Sequence, residues 1–158
     1  MTKINIEDLK KVEIDMLKNF INVCNILKLK YFLVGGSCLG AVRHKGFIPW
    51  DDDIDVALPR PDYDKFIEVA QQYLPDNLFL QNYKTEPDYR LDFAKIRNSD
   101  TTFIETENRD LCVNKGIYID VFPIDGMPTK TSDKKLLKLH KFIAKKYLSR
   151  NNCRTTQS

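Results

Sequence analysis

Four carboxylates fall within five residues, Asp51, Asp52, Asp53 and Asp55, and from Asp53 onward acids alternate with apolar residues: Asp53-Ile54-Asp55-Val56-Ala57-Leu58. In a β-strand, residues i and i+2 point to the same face. The pattern therefore predicts a strand that turns Ile54, Val56 and Leu58 into a core and aligns Asp51, Asp53 and Asp55 on the other side. Carboxylates about 6–7 Å apart along a strand repel one another. A hard cation such as Mg²⁺ or Mn²⁺ removes that repulsion, because it takes oxygen ligands and keeps positions open for substrate phosphate oxygens. An Asp-rich run alone is more often a solvated turn or a helix cap. Here the alternation with apolar residues argues against that, and so do two flanking features.

The first flanking feature is Gly35-Gly36-Ser37, reached from the apolar run Tyr31-Phe32-Leu33-Val34. Paired glycines let the backbone approach a bulky anion, and N–H groups at the start of a helix suit phosphate. Ser37 through His44 is expected to form such a helix. Ser37 bonds a phosphate oxygen, caps the helix, or does both with one hydroxyl. Arg43 suits phosphate recognition through its guanidinium fork, or is a surface arginine. The second feature is Asp120, set in the apolar run Ile117 to Phe122, where an unpaired charge is very unfavourable. A metal would give it a partner. Asp53, Asp55 and Asp120 are therefore the expected catalytic residues, and together with Asp51 the expected metal ligands.

The rest of the chain reads as a small α/β (α+β) sheet protein. Asn5 caps a helix running to about Leu29, with Leu9, Val12, Met16, Phe20, Val23 and Leu27 at helical spacing. After Pro59-Arg60-Pro61, a helix is expected over 62–74, with Asp62 and Asp64 complementing its dipole. Strands are expected over 78–83, 92–97 and 101–105, followed by a polar loop over 105–115. Lys95 and Arg97 share a strand face and are either solvated or hold a diphosphate. Trp50 is expected in the core beside the site, with stacking on a base or choline as the alternative, and Asp125 in a tight turn. No 18-residue apolar run exists, and the four cysteines show no CxxC spacing, which suits free thiols in a cytoplasmic protein. Residues 130–154 carry nine of the 25 Lys and Arg but only one of the 22 acids. Residues 1–129 are thus expected to form the main domain. Residues 130–158 are expected to form a basic amphipathic helix, with Leu136, Leu139, Ile143 and Tyr147 on one face, plus a polar tail. Such a helix can also rest on the anionic inner face of a membrane.

The strand–Gly-Gly–acid strand layout with a later strand-borne acid is shared by pol β-type nucleotidyltransferases. More closely, the stretch from Leu39 through the Asp51–Val56 acids, Pro59 to Phe66, and Gly116 to Gly126 resembles the LicD-type phosphocholine transferases and their fukutin-like relatives. The resemblance covers roughly residues 30–128. It implies a nucleotidyltransferase (pol β-like) fold, a small mixed sheet backed by helices. It also implies metal-dependent transfer of phosphocholine or a similar group from a CDP-choline-like donor to a hydroxyl of a cell-envelope glycan. Gly35, Gly36, Ser37, Arg43, Lys95 and Arg97 would then bind substrate, and no nucleic-acid partner is expected. Family members are longer than 158 residues, so the chain is expected to be truncated at its C-terminus. Two other readings stay open: transfer of a nucleoside monophosphate to a small molecule or protein, and a non-catalytic nucleotide-binding fragment.

Overall fold

A computed structural model describes residues 5–127, 130, 134–139 and 141–142. They fall into two compact units, Met1–Asp125 and Gly126–Ser158. The first unit is a five-stranded mixed sheet with three α-helices.

Helix α1 (Ile6–Leu27) starts where Asn5 accepts the Asp8 N–H at 2.9 Å, a side-chain cap, and ends at Lys28 in the left-handed conformation. Its buried face is Leu9, Glu13, Met16, Phe20, Val23 and Cys24, with Lys10 beside it. Val12 and Leu27, expected in the stripe, are only partly buried against the core. Strand β1 (Phe32–Leu33) leads into α2 (Gly35–His44), two residues ahead of the expected start. Strand β2 (Asp55–Pro59) follows the acidic loop, and α3 (Arg60–Val69) begins at once, with Pro61 in its first turn. A short 3₁₀ turn, Ala70–Tyr73, completes the helical stretch expected over 62–74. Strands β3 (Leu78–Gln81), β4 (Ala94–Asn98) and β5 (Ile117–Ile124) finish the sheet.

The strand order is β1-β2-β5-β4-β3. Only β2 and β5 pair in parallel; the other neighbours are antiparallel. One sheet face carries Val56, Leu58, Leu80, Ala94, Ile96, Ile119 and Val121, which join the buried residues of α1 and α3 in one core. By the two-residue period, the opposite face carries Asp55, Asp120, Tyr118, Lys95, Arg97 and Gln81. All the chemistry expected on strands thus lies on a single face.

Two expectations fail. Residues 101–105 form no strand: Thr101 turns back on Asn98, and the segment makes one backbone bond toward β5's approach, from Phe103 N–H to Lys115 O at 2.6 Å. Trp50 is not a core residue but is 78% exposed in the loop before the acids. In the second unit, residues 134–139 are helical and Leu136 and Leu139 are exposed. The expected cap at Thr131 or Ser132, and Ile143 and Tyr147, lie outside the described residues. No helix among the described residues is long and apolar enough to cross a membrane.

Candidate active site

The register of three strands builds the site. Asp55 stands opposite Asp120 across the parallel β2–β5 pair, Asp120 opposite Lys95 across β5–β4, and Lys95 opposite Gln81 across β4–β3. Two acids, a cation and an amide therefore form one row across four strands. The parallel pair extends one residue ahead of β2, where the Asp120 N–H donates to Ile54 O at 2.8 Å. Asp53, two residues before Asp55, shares its side of the chain. Carboxylate oxygens of Asp53, Asp55 and Asp120 come within 4.8 Å of one another, and those of Asp51, Asp52 and Asp53 do the same. The carboxylates expected to act together are thus brought together, with Asp53 common to both groups.

Helix α2 closes on this row from the side. The Gly36 N–H lies near the Asp55 carboxylate and favours its ionised form, and Ser37 Oγ accepts the Asp55 N–H at 2.8 Å. Gly35 adopts φ +54, where a side chain is strained, and a Cβ there would run into Asp55 Oδ2. A Cβ on Gly36 would stand 2.5 Å from Asp51 Oδ2. The glycine pair is thus demanded by the carboxylates themselves, which its backbone touches directly. Ser37 acts as a brace of the acid strand. Arg43 sits at the other end of α2, about 12 Å along the axis from Gly35, so the glycine turn and Arg43 are not side by side.

Lys95 and Arg97 point to the same face but into protein partners. Lys95, 3% exposed in its side chain, lies 3.0 Å from Asp120 Oδ1 and 3.3 Å from Glu105 Oε1. Its ammonium also stands 3.4 Å above the Tyr118 ring. The contact with Asp120 is close enough for an ion pair but out of line for a hydrogen bond, so the buried Oδ1 receives no directed hydrogen bond among the described residues. Arg97 is fully buried and donates to Gln81 Oε1 at 2.8 Å, Gly116 O at 2.9 Å and Glu105 Oε2 at 2.8 Å. Its donors face inward, to the sheet and to the base of the 105–115 loop.

The electrostatics fit a cation site. Burial first, then the neighbouring carboxylates, pushes Asp53 up to about 6. Burial also raises Asp120 to about 6, although the Lys95 ammonium pulls it back. Asp55 is raised by burial and Asp51, and held down in part by the Gly36 N–H and Lys95. Such a cluster gains by binding a positive ion, and the buried Oδ1 of Asp120 has capacity to ligate one. For Glu105, burial works upward, but Arg97 and Lys95 outweigh it and hold it below the usual carboxylate range.

Sequence reading missed Glu13. It is 1% exposed, its Oε2 accepts no hydrogen bond among the described residues, and burial with Asp53, Asp52 and Asp51 nearby pushes it up to about 8. Its signal was a charge at core spacing: positions 9, 13, 16 and 20 lie on one helical face. Beside it, Lys10 Nζ donates to Pro49 O at 2.9 Å and caps the loop that leads to the acids. A cleft of about 370 Å³ between α1 and α2, lined by Ile14, Leu17, Ala41 and Phe47, contains none of the site carboxylates.

Residues 28–149 match the family described as LicD/FKTN/FKRP, nucleotidyltransferase domain. The chain is 34% identical, over 82% of its length, to lipopolysaccharide cholinephosphotransferase LicD of Haemophilus influenzae, of which it covers 48%. It is 45% identical, over 70% of its length, to ribitol 5-phosphate transferase FKRP of Mus musculus, of which it covers 20%. The chain therefore spans about half the length of the bacterial relative and a fifth of the mammalian one.

Proposed function

Because the chain belongs to the LicD family, we propose that it is the catalytic core of a phosphotransferase of the nucleotidyltransferase type. It moves phosphocholine, or a similar phosphoryl-linked group, from a CDP-activated donor to a hydroxyl of a cell-envelope glycan. One observation carries the reading: Asp53, Asp55 and Asp120 converge within 4.8 Å, Asp55 and Asp120 from two adjacent parallel strands and Asp53 from the loop that enters the first of them. The names of the two relatives, a cholinephosphotransferase and a ribitol 5-phosphate transferase, support phosphoryl transfer to a hydroxyl and leave the head group between those two.

In this reading Asp53, Asp55 and Asp120, with Asp51 beside them, hold Mg²⁺ or Mn²⁺. The bound cation supplies neutralisation of charge on the donor phosphates and the leaving nucleotide. The chain's own residues do the rest. Gly35 and Gly36 let the start of α2 approach the donor phosphates, where its N–H groups and dipole favour an anion. Ser37 holds Asp55 in register. Arg43, exposed at the far end of α2, takes a more distant part of the substrate. Asp120 or Asp55 accepts the proton of the attacking hydroxyl. Lys95 and Arg97 act on the site through Asp120 and Glu105. The lysine-rich stretch 130–154 keeps a cytoplasmic protein near anionic lipid, where acceptor precursors gather.

The test is Mg²⁺-dependent binding of CDP-choline by calorimetry. Asp53→Asn is expected to abolish it with the fold intact, and Asp52→Asn, at an exposed acid, to change it least. Unchanged binding by Asp53→Asn would sink the assignment. Incubation with labelled CDP-choline and nucleoside triphosphates distinguishes head-group transfer from nucleotide transfer.

A further inference from the structure

We infer that Lys95 is a resident counter-cation of the carboxylate site: it neutralises Asp120 when no divalent cation is bound and competes with that cation when one arrives. The inference rests on the reading of Asp53, Asp55 and Asp120 as metal ligands.

Four observations place Lys95 in this role. It is the cross-strand neighbour of Asp120, as Asp55 is on the other side, so Asp120 stands between an acid and a cation in one row. Its side chain is 3% exposed, so no solvent shell screens its charge from the site. Its ammonium is held in place by the Tyr118 ring beneath it, at 3.4 Å, and by Glu105 at 3.3 Å. Its contact with Asp120 is an ion pair at 3.0 Å in which that oxygen receives no in-line hydrogen bond among the described residues, so the oxygen keeps lone-pair capacity for a metal.

Glu105 makes the exchange physically cheap. It is already tied to Arg97 at 2.8 Å and to Asn108 at 2.9 Å, so it stays in place whatever Lys95 does. When a divalent cation takes Asp120, Lys95 keeps Glu105 and is never left as a buried unpaired charge. When the cation leaves, Asp120 is not left as one either. The same charge must weaken cation affinity, because a buried ammonium near a divalent ion repels it at low effective dielectric. Lys95 thus sets how tightly the site holds its metal, and the site keeps its shape between occupancies.

The experiment measures Mn²⁺ alone on the purified full chain, by the paramagnetic resonance signal of free Mn²⁺, together with thermal unfolding with and without it. Lys95→Met is expected to unfold at lower temperature than wild type without metal and to bind Mn²⁺ at least about tenfold more tightly. Lys95→Arg keeps the charge and is expected to show no such tightening. Lys95→Met that binds Mn²⁺ no more tightly than wild type overturns the inference, as does Lys95→Arg that tightens equally. If Lys95→Met is unfolded without metal, Mn²⁺ is expected to restore the folded circular dichroism spectrum, and a chain still unfolded at saturating Mn²⁺ overturns the inference. Wild-type protein that binds no Mn²⁺, or Asp53→Asn that binds as wild type does, instead overturns the metal reading on which the inference rests.

Discussion

Ser37 Oγ accepts the backbone N–H of Asp55 at 2.8 Å, so the oxygen of the hydroxyl after the glycine pair is bonded to the first residue of the acid-bearing strand while its own proton stays available to donate. The bond ties α2 to β2 next to the sheet edge formed by β1. Ser37→Ala leaves a partly buried N–H without a partner, which costs about 1–3 kcal/mol. Urea denaturation is expected to show that loss even without any ligand. Wild-type stability would mean that this bond does not brace the strand.

The glycine pair gives a graded result. Gly35 sits at φ +54, and a Cβ there meets the side chain of Asp55, whose backbone N–H is bonded to Ser37. Gly35→Ala therefore combines left-handed strain of roughly 1 kcal/mol with a clash against the side chain of a residue whose backbone is anchored. A Cβ on Gly36 meets only Asp51 Oδ2, the tip of a side chain on the loop before β2, which can rotate away. Gly36→Ala is expected to keep most of the stability but to weaken Mn²⁺ binding by displacing Asp51. Paired denaturation and Mn²⁺ titrations check the order: the greater stability loss at Gly35, and loss of affinity with a retained fold at Gly36.

Asp53 and Asp120 set a pH dependence with a definite sign. Both are raised to about 6 in the fold, from an ordinary value of 3.8. A raised carboxyl binds its proton more tightly when folded, so its contribution to stability is full below the unfolded value and is lost as pH rises through the folded one. In metal-free protein these two groups are therefore expected to cost stability between about pH 4 and pH 6, and the raised carboxyl of Glu13 extends the loss to about pH 8. Mg²⁺ needs the ionised carboxylates, so its shift of the melting temperature is expected to be small at pH 5 and largest above pH 7. Calorimetric melts across this range, with and without Mg²⁺, test both trends. A metal-induced shift larger at pH 5 than at pH 7.5 would contradict them.

How much of this was legible in the chain depended on how local each feature is. The alternation over Asp53–Leu58 and the isolated Asp120 were enough to expect two strands with acids on one face, because a two-residue period needs no knowledge of neighbours. Their meeting depends on the β2–β5 register, which no local pattern encodes. The same limit hid the partner of Lys95: its position on a strand face was legible, but not that the next strand placed Asp120 opposite it. Arg97 read as a candidate phosphate ligand because Gln81 and Glu105, which bury it, are distant in sequence. Trp50 read as core because large aromatic side chains are usually buried, yet the loop capped by Lys10 turns it outward. Asp125 read as a turn residue, and it pairs through both carboxylate oxygens with Arg60, at 2.6 and 2.7 Å.

Glu13 is the most consequential residue that the pattern hid, and its replacement gives the sharpest test of the site's electrostatics. It occupies a core position of α1 behind the acidic loop, with Oε2 unbonded among the described residues. Burial is the main reason that its carboxyl is raised from 4.5 to about 8; the charges of Asp53, Asp52 and Asp51 add to it, and Lys10 opposes them. At neutral pH it is therefore mostly protonated, so the fold avoids one more negative charge behind the loop. The unfolded chain ionises this group above about pH 4.5 while the folded chain resists until about pH 8, so its contribution to stability falls across that window. Glu13→Gln keeps the size and the neutral form and cannot ionise. The variant is expected to match wild type near pH 4, to become the more stable of the two as pH rises through the window, and to keep a constant advantage above it. Denaturation curves at pH 4, 6, 7 and 9 measure the gap. A gap that stays flat, or a variant less stable than wild type at pH 9, would show that Glu13 is ionised in the fold and has a charged partner there.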